Sequence, residues 1–215
     1  MPNWTTNALH LSGTPEQMAP VLAAVTWPND TNPTGGFSFS KILPVPQELL
    51  DSCAPLRVDP HQEEPVRTEV QPAGVFSDES VTQTVSISLA EEKRRLNLYG
   101  ATEWYGWSLL NWGTKWDASG VEIFSTTHGE QDTLHELTLR FNTAWDTPRA
   151  LLRHLRSTGV RVIGGAIHED GDEFENLSED PTEFDQHFVL CSEKVRDEEE
   201  EMSWTRHWIE LLDPA

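Results

Sequence analysis

From Asn7 to Ser12 (NALHLS) apolar and polar residues alternate, the period-two pattern of a half-buried strand, and Gly13 ends it. Thr14, Pro15 and Gln17 then combine an N-cap, a proline at the first helical position and a capping box. They predict a helix from Pro15 to about Val25, with Met18, Val21, Leu22 and Val25 on one face and Pro20 as a bending point. A loop from Trp27 to Gly36 follows. Phe37, Phe39 and the run Lys41-Ile42-Leu43 predict a second strand that stops at Pro44.

Regular patterning then lapses. Pro46 to Cys53 suits a short helix, and Ala54 to Ser80, with its prolines and no sustained period, reads as a long loop. Ser86 to Tyr99 contains strong helix formers, with Glu91 and Glu92 placed before Arg95 for helical ion pairs. Ala101 to Leu110 suits another helix. Periodicity returns at Val121–Ser125, a strand joined by a polar turn to Leu134–Phe141. In the latter Leu137, Leu139 and Phe141 alternate with Glu136, Thr138 and Arg140. Thr147-Pro148 opens a helix with Leu151, Leu152 and Leu155 inward and Arg149, Arg153 and Arg156 outward, closed by Gly159. Val160 to His168 is a last apolar strand.

The order β-α-β, insertion, β-β-α-β predicts an α+β fold of the ferredoxin-like, split β-α-β type, with helices on one face of an antiparallel sheet. That body spans residues 1–168, and the insertion covers about residues 46–119. An acidic extension, residues 169–215, closes the chain, with an edge strand conceivable at Phe184–Leu190 and an amphipathic helix at Trp204–Leu212.

Charge changes the picture most. The formal net charge is −21, and it is unevenly placed. Glu169 to Glu201 holds fifteen Asp or Glu against Lys194 and Arg196, a net of −13, so the rest of the chain carries only −8. Such a field repels nucleic acid and membrane surfaces and favours basic partners. The arginine face at Arg149, Arg153 and Arg156 is therefore not read as a nucleic-acid site. The opening MPNWTTNALH lacks the basic and apolar regions of a signal peptide, and no run approaches the ~18 apolar residues of a membrane helix. Cys53 and Cys191 form no Cys-x-x-Cys pair and read as free thiols of a reducing compartment. The expected location is the cytoplasm.

Two groups of residues carry candidate chemistry. Of nine tryptophans, four lie between Trp104 and Trp116. Asn111, Trp112, Lys115, Trp116, Asp117, Thr143 and Trp145 could form a ligand platform in which the indoles stack on a planar group. Bulky anchors packing an insertion onto a sheet account for the same residues, with Lys115 and Asp117 bridged across the turn at Gly113; aromatic clusters more often serve as core. On that reading Trp112, Trp116 and Trp145 are buried. The eight histidines give no HExxH pair or calcium loop, and His128, His135 and the His168-to-Asp172 run read as solvated polar residues with no metal or cofactor. No Gly-x-Ser-x-Gly elbow is present, so no catalytic residue is assigned.

Met1-Pro2-Asn3-Trp4, Asn111-Trp112-Gly113-Thr114-Lys115-Trp116-Asp117 and Phe141-Asn142-Thr143-Ala144-Trp145-Asp146-Thr147-Pro148 together resemble the YubB-like family. These are proteins of phages and conjugative plasmids with a ferredoxin-like domain and no settled activity. The resemblance covers about residues 1–175, and the acidic stretch after Gly171 departs from it. It implies a mobile-element origin and a bacterial host.

With that origin, the acidic extension becomes the favoured working surface. Carboxylates at fixed spacing can imitate DNA phosphates, one charge per about 1.7 Å of duplex axis. Glu169, Asp170, Asp172, Glu173, Glu175, Glu179, Asp180, Glu183, Asp185, Asp197, Glu198, Glu199, Glu200 and Glu201 would form a face that occupies the basic channel of a DNA-binding host protein. The expectation is a non-enzymatic inhibitor of a restriction or CRISPR-type defence complex. Ligand binding at the Trp-rich turn is the alternative, and a structural interaction module with a merely solvating acidic face is the third reading.

Overall fold

The computed structural model describes residues 3–27, 35–70, 81–128, 135–168 and 174–179. The protein is α+β and divides into two units, Met1–Leu43 with Trp112–Ala215, and Pro44–Asn111. Among the described residues no helix is long and apolar enough to cross a membrane.

In the first unit, β1 (Trp4–Gly13) leads into α1 (Pro15–Ala24) through the predicted capping box. Gln17 N–H donates to Thr14 Oγ1, and Thr14 N–H donates to the Gln17 side chain at 2.8 Å. Later come β7 (Ser119–His128), β8 (His135–Ala144), α6 (Arg149–Ser157), β9 (Arg161–His168) and β10 (Phe174–Asn176). Five of these strands form one sheet in the order β10-β9-β1-β8-β7, each antiparallel to its neighbours.

Register explains the core. Leu9 and Leu11 of β1 face Leu139 and Leu137 of β8, and Leu11 faces Val162 of β9. With Phe141 these residues are 0–3% exposed, beneath Met18 and Val21 of α1 and Leu151, Leu152 and Leu155 of α6. A side chain added at Gly159, just after α6, would run into the Gln17 amide, so the start of α1 lies beside the end of α6 in one helical layer.

The second strand expected at Phe37–Leu43 is not in this sheet. A two-residue bridge pairs β2 (Val25–Thr26) with β3 (Gly36–Phe37), and Phe39–Ile42 is a short helix, α2. The cause is distant in sequence. The Asp117 carboxylate accepts the Phe39 N–H at 2.5 Å and the Ser38 hydroxyl at 2.8 Å, which starts a helical turn. Phe37 and Phe39 are still both buried, edge to face at 5.8 Å.

In the second unit, α3 (Gln47–Leu50) lies where a short helix was expected. The predicted loop from Ala54 to Ser80 instead contains β4 (Ser52–Asp59) and β5 (Val66–Val70). They flank β6 (Val81–Ser88), β4 running parallel to it and β5 antiparallel. β4 is exposed along most of its second half, so no alternation marks it. The helix expected from Ser86 begins only at Leu89. Ser88 caps α4 (Leu89–Tyr99), its hydroxyl accepting the Glu91 N–H at 3.2 Å, and α5 (Trp104–Asn111) follows.

Candidate functional site

Two turns of the first unit are built into each other. The first, Trp112 to Asp117, crosses the start of α6. Gly113 has φ +90°, and a Cβ there would sit 2.9 Å from the Arg149 amide nitrogen, so only glycine passes. Leu151 N–H donates to the Trp112 carbonyl at 3.1 Å, and the Thr114 hydroxyl to the Ala144 carbonyl at 2.8 Å. The second turn, Ala144 to Arg149, is thereby fixed to the first.

The side chains of the first turn do different jobs. Trp112 is buried, edge-on to Phe39 at 6.0 Å, and its Nε1–H donates to the Leu43 carbonyl at 2.9 Å. Asp117 caps Ser38 and Phe39 and also accepts the Ala118 N–H. Instead of bridging Asp117, the Lys115 ammonium lies 4.6 Å over the Trp116 ring. Trp116 packs one side on Trp4, with centroids 6.4 Å apart, yet is 39% exposed. Asn111 belongs to the second unit, where its amide donates to the Trp107 carbonyl.

Thr143 is fully buried; its hydroxyl accepts from Asn7 Nδ2 at 2.8 Å and donates to the Asp146 carbonyl at 2.8 Å. Trp145 follows with φ +76° and is 55% exposed. The expectation that Trp112, Trp116 and Trp145 are all buried therefore holds for Trp112 alone. Trp116 and Trp145 sit in turns rather than in the sheet, and both keep a large part of the ring in solvent.

Beside Trp145, three segments converge that sequence reading kept apart. Asp146 in the turn, His168 at the end of β9 and Glu175 in β10 bring a carboxylate oxygen, a ring nitrogen and a second carboxylate oxygen within 4.8 Å of one another. His168 Nδ1 shares a hydrogen bond with Thr5 Oγ1 at 3.0 Å. Its Nε2 lies 3.6 Å from Glu175 Oε2, and Arg149 holds the other Glu175 oxygen at 2.6 Å. His168 is thus not simply solvated. Its contact with Glu175 depends on β10 pairing with β9, which no local motif announces.

Of the proposed acidic face, only Glu175 and Glu179 fall among the described residues, and both face arginines of α6. Glu179 is 3.9 Å from Arg156. Arg156 also donates to the Leu177 carbonyl, and burial lowers its pKa. Leu177 is buried, so the extension starts as a docked edge strand. Glu169, Asp170, Asp172, Glu173, Asp180, Glu183, Asp185 and Asp197–Glu201 lie outside the described residues, as do the edge strand expected at Phe184–Leu190, the terminal helix and Cys191. Cys53 is a free thiol. Comparison with known proteins finds no family model, no curated protein and no solved structure that matches this chain.

Proposed function

We propose that the joined turns form a recognition site for a planar ligand, with Trp145 and Trp116 as stacking surfaces and Lys115 and Arg149 as its polar contacts. One observation carries this reading. A bulky L-residue at φ +76° costs about 1–3 kcal/mol, and an indole left 55% exposed gives up more than half of the burial that could offset it. Strain retained by an indole with most of its surface in solvent marks a position held for contact with something else. Lys115 over the Trp116 ring supplies a cation that can follow an anionic or π-rich group onto the aromatic surface.

Trp145→Gly separates the alternatives. Glycine accepts φ +76° freely, so about 1 kcal/mol or more of relieved strain offsets the partly buried indole that is lost, and the melting temperature is expected to stay within a few degrees of the parent's. Saturation-transfer NMR with adenosine monophosphate, flavin mononucleotide and NAD as planar probes is expected to show contacts in the parent and none in the variant. A variant that melts much earlier, with probe contacts unchanged, would make Trp145 a structural anchor and remove the reading.

The sheet order also supports the finer fold assignment. With β7 in place of the expected second strand, the first strand lies between the third and fourth and the second lies outside the third, the ferredoxin-like arrangement. With that arrangement we propose a YubB-like kinship, a phage or plasmid origin and a cytoplasmic location in a bacterial host.

A second reading rests on charge. The stretch Glu169–Glu201 carries −13, and its start is docked through β10 and Leu177. We propose that its remaining carboxylates engage a basic, DNA-binding host protein as a DNA mimic and inhibit a restriction or CRISPR-type complex. Glu175 and Glu179 face Arg149 and Arg156, so they contribute to docking the extension rather than to that face. Reversing Asp197–Glu201 to lysine is expected to abolish capture of a DNA-binding partner from host lysate and leave thermal unfolding unchanged. Parental capture should compete with duplex DNA and weaken steeply with salt. Capture by the reversed variant at parental strength would end the mimic reading.

A further inference from the structure

We infer that Asp146, His168 and Glu175 form a site for a divalent transition-metal cation. The three ligand atoms come from a turn and two strands, and all lie within 4.8 Å of one another. Metal–ligand bonds of about 2.0–2.2 Å hold ligand atoms up to roughly 4 Å apart around one ion, so closure needs only a small movement. Asp146 is exposed and sits in a turn, where its Oδ1 accepts the Thr147 N–H at 2.7 Å, so turning its carboxyl supplies the movement.

The surroundings of His168 point the same way. Its Nδ1 is engaged by Thr5 Oγ1, which fixes the ring and directs Nε2 toward the carboxylates. A hydrogen bond to the far ring nitrogen orients metal-binding imidazoles in this way. The separation of 3.6 Å between Nε2 and Glu175 Oε2 is too long for a hydrogen bond and suits two ligands of a shared ion. Arg149 lies 2.6 Å from Glu175 Oε1 as an ion pair and offsets part of the double negative charge, while Oε2 takes only a long hydrogen bond, 3.4 Å, from the Thr147 hydroxyl.

The sheet face that carries His168 is polar around it. Asn7 is fully buried and pairs with Ala166, two residues along β9 from His168, so both side chains belong to one sheet face. Asn7 Nδ2 donates to Thr5 and Thr143, and its Oδ1 has no donor among the described residues. One imidazole and two carboxylates suit zinc, manganese or cobalt better than calcium or magnesium, which favour all-oxygen shells. Three protein ligands leave positions on the ion open. The site stands on its own geometry and does not require the stacking surface of Trp145.

The test uses the full, untagged chain after removal of metal with a chelator. Cobalt(II) is expected to bind at one equivalent with a visible d–d absorption band, and zinc to displace it and raise the melting temperature. Asp146→Asn and His168→Ala are each expected to weaken cobalt binding about tenfold or more. Asp146→Asn changes an exposed side chain, so it reports binding even if His168→Ala unfolds. Two results would overturn the inference: no one-equivalent band in the parent, or binding that both variants leave intact. The second would mean diffuse attraction of cations to an acidic chain.

Discussion

Trp112→Ala is expected to destabilise the first unit by about 3–5 kcal/mol, the largest loss of any substitution in the Trp-rich turn. The indole is 5% exposed and packs edge-on against Phe39, which stands edge-on to Phe141 at 5.6 Å. Truncation would open a cavity beside this aromatic group and leave the Leu43 carbonyl without the Nε1–H that it accepts at 2.9 Å. Trp112→Phe keeps much of the ring volume and removes the donor, so about 1–2 kcal/mol is expected. Trp116→Ala should cost less than Trp112→Ala, since one side of that ring already faces solvent. Urea unfolding of the three variants gives the order. If Trp116→Ala proved as costly as Trp112→Ala, Trp116 would be an anchor and its place in the recognition site would fall.

The contrast among these tryptophans marks what sequence can reveal. Identity and spacing located the turns that matter, but exposure depends on what covers each ring, and that is set by tertiary packing. Alternation was reliable where one face is buried and the other is not, as in β8, where Leu137, Leu139 and Phe141 are 0% exposed. It misled at Phe37 and Phe39, because a helical turn can bury both residues as well as a strand can. The choice was made by Asp117, 78 positions away. For β4 there was little alternation to read, since most of its second half is exposed. β6 did carry a signal in its β-branched run VTQTVSIS, obscured by the helix formers that follow it. The convergence of Asp146, His168 and Glu175 had no local signature. It requires knowing that β10 returns along β9, and pairing of that kind is set by the whole sheet.

Acidification should loosen the second unit at α4. Arg95 is 2% exposed, with Nη1 donating to Ser52 Oγ at 2.7 Å and to the Thr102 carbonyl at 2.9 Å. Its Nε donates to Glu91 at 2.9 Å. The hydrogen bond from Arg94, with a further one from Arg95, holds the Glu91 carboxyl at about 2, against an ordinary value of 4.5. A carboxylate depressed on folding contributes stability that is complete above its unfolded value and is lost as pH falls through its folded value. The window is therefore about pH 4.5 down to 2. Arg95→Ala is expected to cost about 3–5 kcal/mol at neutral pH, because Glu91, Ser52 and the Thr102 carbonyl lose a buried cation together. Arg95→Met fills much of the same volume, so the difference between the two variants measures packing apart from charge. Glu91→Gln should flatten the decline below pH 4.5. Arg94→Ala should flatten it in part, and more so at low salt, because Arg94 is 43% exposed and its pairing is screened. Hydrogen exchange at the α4 amides between pH 6 and 3, corrected for intrinsic rates, reports this unit directly. If the Glu91→Gln profile ran parallel to the parent's through that window, the Arg94–Glu91–Arg95 cluster would carry no linkage, and acid sensitivity would have to come from other carboxylates.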